Sequence, residues 1–238
     1  MKAEYIDHLG DDLTVVNAAR VSFDKESQEE PCCAVGAVCD DTCLTSDVLS
    51  KADTKLIKYL AKHGHWTPFS HPQITMRYTV PIFIARQEFK HIVGFTRNEV
   101  SRRYVDDTPE FYTPDTWRSR PEGSVKQGSG GEFTGYVWTE DTMGVDMPME
   151  DVYQEVIQFC LDSYTLAIEA GVAPEQARMV LPQSMYTSYY ITGSLAAFAR
   201  MVKQRSDPHA QVEIQELAAM VDKVIRPLYP VSWTALVD

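Results

Sequence analysis

The sequence lacks the features that mark several large classes of protein. It has no run of about 18 apolar residues that could span a membrane. Its N-terminus, MKAEYIDHLGDD, turns acidic at once and lacks the apolar core of a signal peptide. Only 22 Lys and Arg residues stand against 34 Asp and Glu residues, a formal net charge of -12. Because extended nucleic-acid surfaces are usually basic, we expect a cytoplasmic protein that binds neither nucleic acid nor membrane.

Cysteine is scarce, and four of the five cysteines lie within twelve residues: Cys32, Cys33, Cys39 and Cys43. An odd total without an export signal argues against a disulfide framework. A zinc site is the alternative, but the spacing is not that of paired CxxC ligands. We therefore predict free thiols in a Cys-rich insertion of about residues 24–50, and no metal.

The motifs of common catalytic sites are also missing. The sequence contains neither the G-x-S-x-G of a serine nucleophile nor the G-x-G-x-x-G of a dinucleotide site. The segment GSGG, residues 128–131, is not followed by Lys-Ser/Thr, so we interpret it as part of a flexible loop of about residues 118–147. Three histidines beside Trp66 and Phe69 are predicted to pack at a pocket wall: His63, His65 and His71.

Hydrophobic periodicity predicts a mixture of strands and helices. Apolar residues alternate with polar ones over residues 74–80, which indicates a half-buried strand. A helix capped by Asp53 and stopped by Gly64 precedes it, and a helix that Pro81 opens follows it. We predict a loop over residues 96–104 and four C-terminal helices, one of them running from Tyr186 to Lys203.

Two of the C-terminal helices carry further signals. Asp207 and Pro208 are typical of a helix start. In the first of the four helices, Val152, Phe159 and Cys160 share one apolar face, so Cys160 is predicted to be a core thiol.

The most informative stretch is residues 85–104, ARQEFKHIVGFTRNEVSRRY. Five Lys or Arg residues and two Glu residues give it a local charge of +3 in an acidic chain. Apolar residues alternate with the charges, so the stretch is predicted to be partly buried, where charges need partners. Arg and Lys suit an anionic ligand such as a phosphate. We therefore predict an anion-binding site here, with a solvated basic surface as the alternative.

Three later arginines could join that site: Arg178, Arg200 and Arg205. A buried Arg must find an anion or a carboxylate. The structural alternative is an ion pair, for example of Arg205 with Asp207 or Glu213.

Segments along nearly the whole chain resemble the flavin-dependent thymidylate synthases, the ThyX family. They occur in the family's order: AARVSF, LIKYLAKHGHWTPFSH, PIFIARQ, NEVSRRY, EFYTP, ARMVLPQSMYT and RSDPHAQVEIQ. The family signature, RHR followed by seven residues and Ser, is altered to Lys90-His91-Ile92 with eight residues before Ser101. Lys90 keeps the positive charge but lacks the planar pair of N–H donors of an arginine. Ile92 removes a polar contact to the flavin, and the extra residue should be absorbed near Gly94.

The resemblance implies a reaction and a site. The methylene group of methylenetetrahydrofolate would move to C5 of dUMP, with a hydride from FAD that NADPH reduces, giving dTMP. Arg205 would stabilise the ionised uracil ring as the catalytic residue. Further dUMP contacts are implied at Gln87, Lys90, Glu99, Ser101, Arg103 and Arg178. FAD contacts are implied at Ser22, His65, Lys90, His91, Ile92, Glu99, Ser194 and Arg200.

The family also implies an α+β fold in one domain over residues 1–238, with a twisted central sheet flanked by helices. It implies a homotetramer whose active sites are shared between subunits. Two alternatives stay open because the signature is altered. One is a related enzyme that hydroxymethylates a pyrimidine nucleotide, and the other is a non-catalytic protein that binds nucleotide or flavin.

Overall fold

The computed structural model describes residues 1–31, 47–105, 107–123 and 128–238, which form both strands and helices. The strands are β1 Lys2–Leu9, β2 Glu30–Pro31, β3 Asp47–Val48, β4 Gln73–Pro81, β5 Phe95–Glu99, β6 Tyr136–Trp138, β7 Met147–Pro148 and β8 Tyr186–Ser194. The helices are α1 Asp12–Arg20, α2 Lys51–Lys62, α3 Ile82–Glu88, α4 Glu140–Met143, α5 Met149–Glu169, α6 Pro174–Ala177, α7 Leu195–Arg205, α8 Val212–Ile225 and α9 Pro230–Val237. The predicted Cys32–Cys43 cluster lies outside the described residues.

An antiparallel sheet in the order β1-β4-β8-β5 forms the centre. The long pair β4 and β8 runs from Gln73 opposite Ser194 to Pro81 opposite Tyr186. One face of this sheet is apolar and buried, while the other carries polar side chains such as Thr75 and Thr192, whose hydroxyls are 2.9 Å apart. This one-sided burial is usual for antiparallel sheets.

The alternation predicted for residues 74–80 is confirmed. Ile74, Met76, Tyr78 and Val80 are fully buried in β4, whereas Arg77 is exposed on the opposite face. Helices α7, α8 and α9 cover the buried face. They contribute core side chains that are far from β4 in the sequence: Phe198, Leu217, Val221 and Trp233.

The last helix, α9, was not expected, and it is capped from the other end of the chain. The carboxylate of Asp12, at the start of α1, accepts hydrogen bonds of 2.8 Å from the backbone N–H groups of Val231 and Ser232. These are N–H groups that a helix cannot satisfy internally. The cap therefore joins the two ends of the chain.

The prediction of a helix from Tyr186 was wrong, because β8 occupies residues 186–194 and α7 begins only at Leu195. In β8 the buried residues Thr187, Tyr189 and Ile191 alternate with less buried ones, and Tyr190, expected to point inward, is 48% exposed. The residues are mostly β-branched or aromatic, which favours a strand. The inward residues predicted for the helical part, such as Phe198, are confirmed.

Three other boundaries differ from prediction. Residues 95–99 form β5 instead of a loop, because they pair with the free edge of β8. The start of α2 is capped by Ser50, whose hydroxyl accepts from the N–H of Asp53, so Asp53 itself is not the cap. Helix α8 begins at Val212, while Asp207 and Pro208 form a turn before it.

Helix α5 is long but poorly covered. In it only Val152 and Tyr164 are buried, and Phe159, predicted to face inward, is 73% exposed. Cys160 is a half-buried free thiol. No helix among the described residues is long and apolar enough to cross a membrane.

A buried carboxylate anchors the end of α1. Asp53 accepts hydrogen bonds from Arg20 at 3.0 Å, from Ser27 at 3.0 Å and from Ser50 at 2.8 Å. Burial raises the pKa of Asp53, but the hydrogen bonds from Arg20, Ser50 and Ser27 outweigh it and lower the pKa overall. The cluster thus fixes the turn in which Ser22 lies.

We expect Asp53→Asn to lower the free energy of unfolding by roughly 2–3 kcal/mol, because it leaves Arg20 without its charged acceptor. Since the pKa is lowered in the folded state, this stabilisation is present above the pKa of an unfolded Asp and is lost as pH falls. Denaturant unfolding at neutral pH and near pH 3 measures both effects. Asp238→Asn, at an exposed carboxylate, is the control, and equal losses in the two variants would contradict the prediction.

Candidate functional site

Arg205, the last residue of α7, reaches back to the end of α3. Its Nε donates a hydrogen bond of 2.9 Å to Nε2 of His91, and its Nη2 donates to the backbone carbonyl of Gln87 at 3.1 Å. The ion pairs with Asp207 or Glu213 that were the structural alternative are not formed in the described part of the chain. Arg205 therefore has only neutral acceptors there, and its charge is available for an anion.

His91 is held neutral beside this arginine. It is only 7% exposed, and burial lowers its pKa most. The charges of Arg205, Arg200 and Arg97 lower the pKa further, to about 4. Because an arginine can only donate, Nε2 of His91 must be the unprotonated nitrogen and Nδ1 carries the proton.

A fully buried carboxylate, Glu88, lies beneath this contact. Arg97 donates to it twice, from Nε to Oε2 at 2.8 Å and from Nη2 to Oε1 at 2.6 Å. Nη2 also donates to the backbone carbonyl of His91 at 2.6 Å, and the hydroxyl of Tyr189 donates to Glu88 at 3.2 Å. The prediction that charges in residues 85–104 need partners is confirmed for this pair.

A second chain of hydrogen bonds leads away from Gln87. Its side-chain amide donates to Gln211 at 2.6 Å, Gln211 donates to Glu213 at 2.8 Å, and Arg118 donates to Glu213 at 2.6 Å. Burial raises the pKa of Glu213, but the hydrogen bond from Arg118 prevails and lowers it. Nε of Arg118 also holds Ser129 at 2.8 Å, so the GSGG segment borders the site.

The predicted dUMP residues are divided between two cavities. Gln87 and Arg205 line a cavity of about 760 Å³, together with Arg118, Ser129 and Gln211. Four others line a second cavity of about 870 Å³: Glu99, Ser101, Arg103 and Arg178.

In the second cavity, Arg103 donates to the hydroxyl of Ser101 at 3.1 Å, and Thr187 donates to Glu99 at 2.7 Å. Lys90 is exposed and lines neither cavity. Glu99 was also predicted to contact FAD, but it lies in this cavity with the dUMP set.

The predicted FAD residues are divided as well. Ser194 and Arg200 line a third cavity, of about 420 Å³, beside Trp66 and Gly94. Arg200 donates to the backbone carbonyl of Val93 at 2.6 Å, and Ser194 caps α7. Three more predicted residues are exposed and line none of the three cavities: Ser22, His65 and Ile92.

The described residues contain no group of three or more His, Cys, Asp or Glu side chains placed to hold a metal ion. The rings of His63 and His65 have centroids 6.5 Å apart and pack around Tyr59. These two histidines therefore pack against an aromatic ring.

Residues 4–231 match the family Thy1, described as thymidylate synthase complementing protein. The chain belongs to the Thy1 family. The flavin-dependent thymidylate synthase of Thermotoga neapolitana is 32% identical over 234 residues, which cover 98% of this chain and 89% of that protein. The flavin-dependent thymidylate synthase of Kosmotoga olearia is 34% identical, with coverage of 98% and 88%.

A solved structure resembles this Thy1 chain over the same length. It is a UMP/dUMP methylase, PolB from Streptomyces cacaoi, bound with 5-Br dUMP. The two share 26% identity and a TM-score of 0.73, with 98% of this chain and 93% of the other covered. The family resemblance and the α+β fold expected from the sequence are confirmed.

Sequence reasoning missed several residues that shape the candidate site. Glu88 and Arg97 were recognised as charges, but nothing in their spacing showed that they pair. Arg118 and Glu213 lie 95 residues apart in the sequence and meet only through the fold. Gln211 and Glu213 were the members with a signal, because both lie within the segment RSDPHAQVEIQ.

The lowered pKa of His91 predicts a pH effect on stability. The unfolded chain protonates this residue near pH 6.5 and the folded chain only near pH 4, so the free energy of unfolding falls as pH decreases between these values. We expect the wild type to lose roughly 2 kcal/mol more than His91→Gln between pH 7.5 and pH 5. Denaturant unfolding at the two pH values measures this difference. Equal losses would show that His91 is not held neutral.

Proposed function

We propose that this protein is a flavin-dependent thymidylate synthase, which methylates dUMP to dTMP with methylenetetrahydrofolate as carbon donor and FAD and NADPH as the source of hydride. Its Thy1 membership and its similarity to curated synthases support this reaction. The observation that carries the proposal is Arg205, a cation that lines a cavity without a carboxylate partner among the described residues.

In the proposed reaction, Arg205 stabilises negative charge on the uracil ring. C5 of a neutral uracil ring is a weak nucleophile, and negative charge on the ring increases its electron density. A fixed guanidinium stabilises that charge without having to reorganise during the reaction. Of its five N–H donors, one goes to His91 and one to Gln87, which leaves three for the ring. Because His91 stays neutral, it adds no second positive charge beside Arg205, whose own hydrogen bonds go to neutral acceptors.

The second cavity contains donors for the anionic end of a nucleotide, grouped within a lining that also includes four carboxylates. Arg103 and Arg178 both line it, and the hydroxyl of Ser101 accepts a hydrogen bond from Arg103. Two guanidinium groups and a hydroxyl are suitable donors for a phosphate. We assign Glu99 to the same nucleotide set.

The third cavity suits part of a flavin cofactor. Trp66 and Val93 are exposed apolar side chains at its wall, and Arg200 supplies a cation. Gly94 has φ of +82°, and a Cβ there would lie 2.9 Å from that of Ala197, so the backbone passes closely against α7. When bound, FAD supplies the hydride that completes the methyl group. At about 420 Å³ the cavity would hold only part of this cofactor within one chain.

The division of the predicted residues supports a shared active site. In one chain, Arg205 and Arg178 line different cavities, an arrangement expected if association of chains brings the two sets together around one nucleotide. The chain also exposes large apolar side chains on and near α5, including Phe159, Leu166 and Met179, each more than 60% exposed. Such surfaces commonly form contacts between subunits. We propose that the homotetramer of the family forms here and completes each site with residues of more than one chain.

A second candidate is a methylase that accepts UMP as well as dUMP. The structural similarity to PolB, which is described as a UMP/dUMP methylase, favours it. Both candidates use the same uracil chemistry and differ at the 2′ position of the sugar. Parallel assays with UMP and dUMP separate them.

We expect Arg205→Ala to lower the rate of tritium release from C5-labelled dUMP by on the order of a hundredfold or more, because the charge on the ring loses its stabilising cation. The fold and the flavin content should stay normal. Arg226→Ala, which removes a half-buried arginine that lines none of the three cavities, is the control. Normal turnover in Arg205→Ala would contradict the assigned role.

Product analysis with the wild-type enzyme distinguishes the remaining alternatives. Formation of dTMP as the sole product from dUMP, folate and NADPH supports the synthase. A hydroxymethylated nucleotide would show the related modifying enzyme. No tritium release, combined with a flavin spectrum that shifts on addition of dUMP, would show a protein that only binds its ligands.

A shared site predicts complementation between two inactive variants. We expect Arg205→Ala and Arg178→Ala to be nearly inactive alone, because each lacks one part of the dUMP site. After mixing and subunit exchange, some sites receive both intact arginines, so part of the wild-type tritium release should return. Self-mixed samples of each variant are the controls. No recovery, with exchange verified by differently tagged subunits, would place both arginines of a site in one chain.

A further inference from the structure

The turn after α3 has an unusual support at its base. Residues 89–94, between α3 and β5, belong to no helix and no strand, and they carry the altered signature Lys90-His91-Ile92. Backbone hydrogen bonds hold the two ends of the turn, among them the N–H of His91 to the carbonyl of Glu88 at 2.9 Å and the N–H of Phe95 to the carbonyl of Ile92 at 3.3 Å. The N–H groups of residues 92–94 have no backbone acceptor among the described residues. The position of the turn therefore depends on contacts from side chains.

Arg97 supplies the strongest of these contacts. It lies on β5, its side chain is 14% exposed, and it grips the fully buried Glu88 with both Nε and Nη2. The guanidinium carbon lies 5.3 Å from the ring centre of Phe89 and 5.0 Å from that of Phe95. Because this guanidinium lies against two aromatic rings and donates two hydrogen bonds to one carboxylate, its orientation is fixed.

The same guanidinium reaches the candidate catalytic group through one residue. Nη2 of Arg97 donates to the backbone carbonyl of His91 at 2.6 Å, and the ring of His91 accepts from Arg205 at 2.9 Å. Arg205 therefore rests against a histidine whose backbone Arg97 holds. Lys90 and Ile92, on either side of His91, are both exposed and cannot take over this support.

We propose that Arg97, clamped by Glu88, is a positioning residue that sets the orientation of Arg205 through His91. The proposal rests on the function proposed for Arg205. Arg97 does not line any of the three cavities described above, so its effect on ligand is indirect. A small displacement of a catalytic group can cost on the order of a hundredfold in rate, whereas binding by other residues is unaffected.

Two variants distinguish a role of Arg97 in positioning Arg205 from a role in stabilising the fold alone. Arg97→Lys keeps the charge but loses the fork. The double variant Glu88→Leu with Arg97→Met removes both buried charges together, which avoids an unpaired buried charge and should preserve the fold. We expect kcat for dTMP formation to fall roughly tenfold to a hundredfold in both, with KM for dUMP changed less than about twofold. Arg226→Met is the matched control and should retain wild-type kcat.

Recovery of wild-type kcat in the stable double variant would show that the pair only stabilises the fold, and would overturn the proposal. A large increase in KM without a change in kcat would also overturn it. Combined with Arg205→Ala, Arg97→Lys should cause no further loss of tritium release, because both act through the same group. Additive losses would show that Arg97 acts by another route.

One readout is independent of the proposed reaction. NMR of the His91 imidazole reports its contact with Arg205 without substrate, and Arg97→Lys leaves the neighbouring charge in place. We expect a changed Nε2 chemical shift and a higher His91 pKa in this variant as the contact loosens. An unchanged His91 signal would overturn the proposal, even if the wild type forms no dTMP. Absence of dTMP with a changed His91 signal would instead contradict only the proposed function.

Discussion

A carboxylate with no exposed surface is stable only if a cation and hydrogen-bond donors surround it, and Glu88 at the end of α3 has this requirement. Arg97 meets it from β5, so the end of the helix and the strand must approach within hydrogen-bond distance. The residues between them must then reverse direction, which they do with Gly94 at φ of +82° against α7. Burial raises the pKa of Glu88 and the hydrogen bonds of Arg97 oppose this effect, so the pair depends on both members.

Much of the fold could be predicted where one physical signal dominates. The period-two alternation of β4 and the family motifs led to the right architecture. Residues 186–194 were misassigned because apolar and aromatic residues next to a true helix extend its apparent pattern, and only pairing with β4 and β5 separates the strand. The start of α8 shows the same limit: Asp207 and Pro208 form a favourable cap locally, but the chain uses them in a turn.

The candidate site could be predicted in composition but not in arrangement. The sequence indicated a set of cations and polar groups, and the resemblance assigned each a ligand. It could not show that Arg205 and Arg178 line different cavities, because a motif gives no information on the distance between segments. Nor could it show that the support of His91 comes from Arg97, since hydrogen bonds to a backbone carbonyl leave no periodic pattern in a sequence.

The two altered positions of the signature lie on the exposed side of the turn, and the unaltered histidine between them is buried. Ile92 is 74% exposed and Lys90 is exposed too, while His91 between them is buried and keeps its contact with Arg205. Replacing the two arginines of the family signature therefore costs the fold of this chain little, since exposed charges contribute little to stability. What the replacement changes is the surface that the turn offers to a ligand or to a neighbouring subunit. The buried contact between His91 and Arg205 and the exposed surface beside it are thus separable, and the two altered positions of the signature lie on the second.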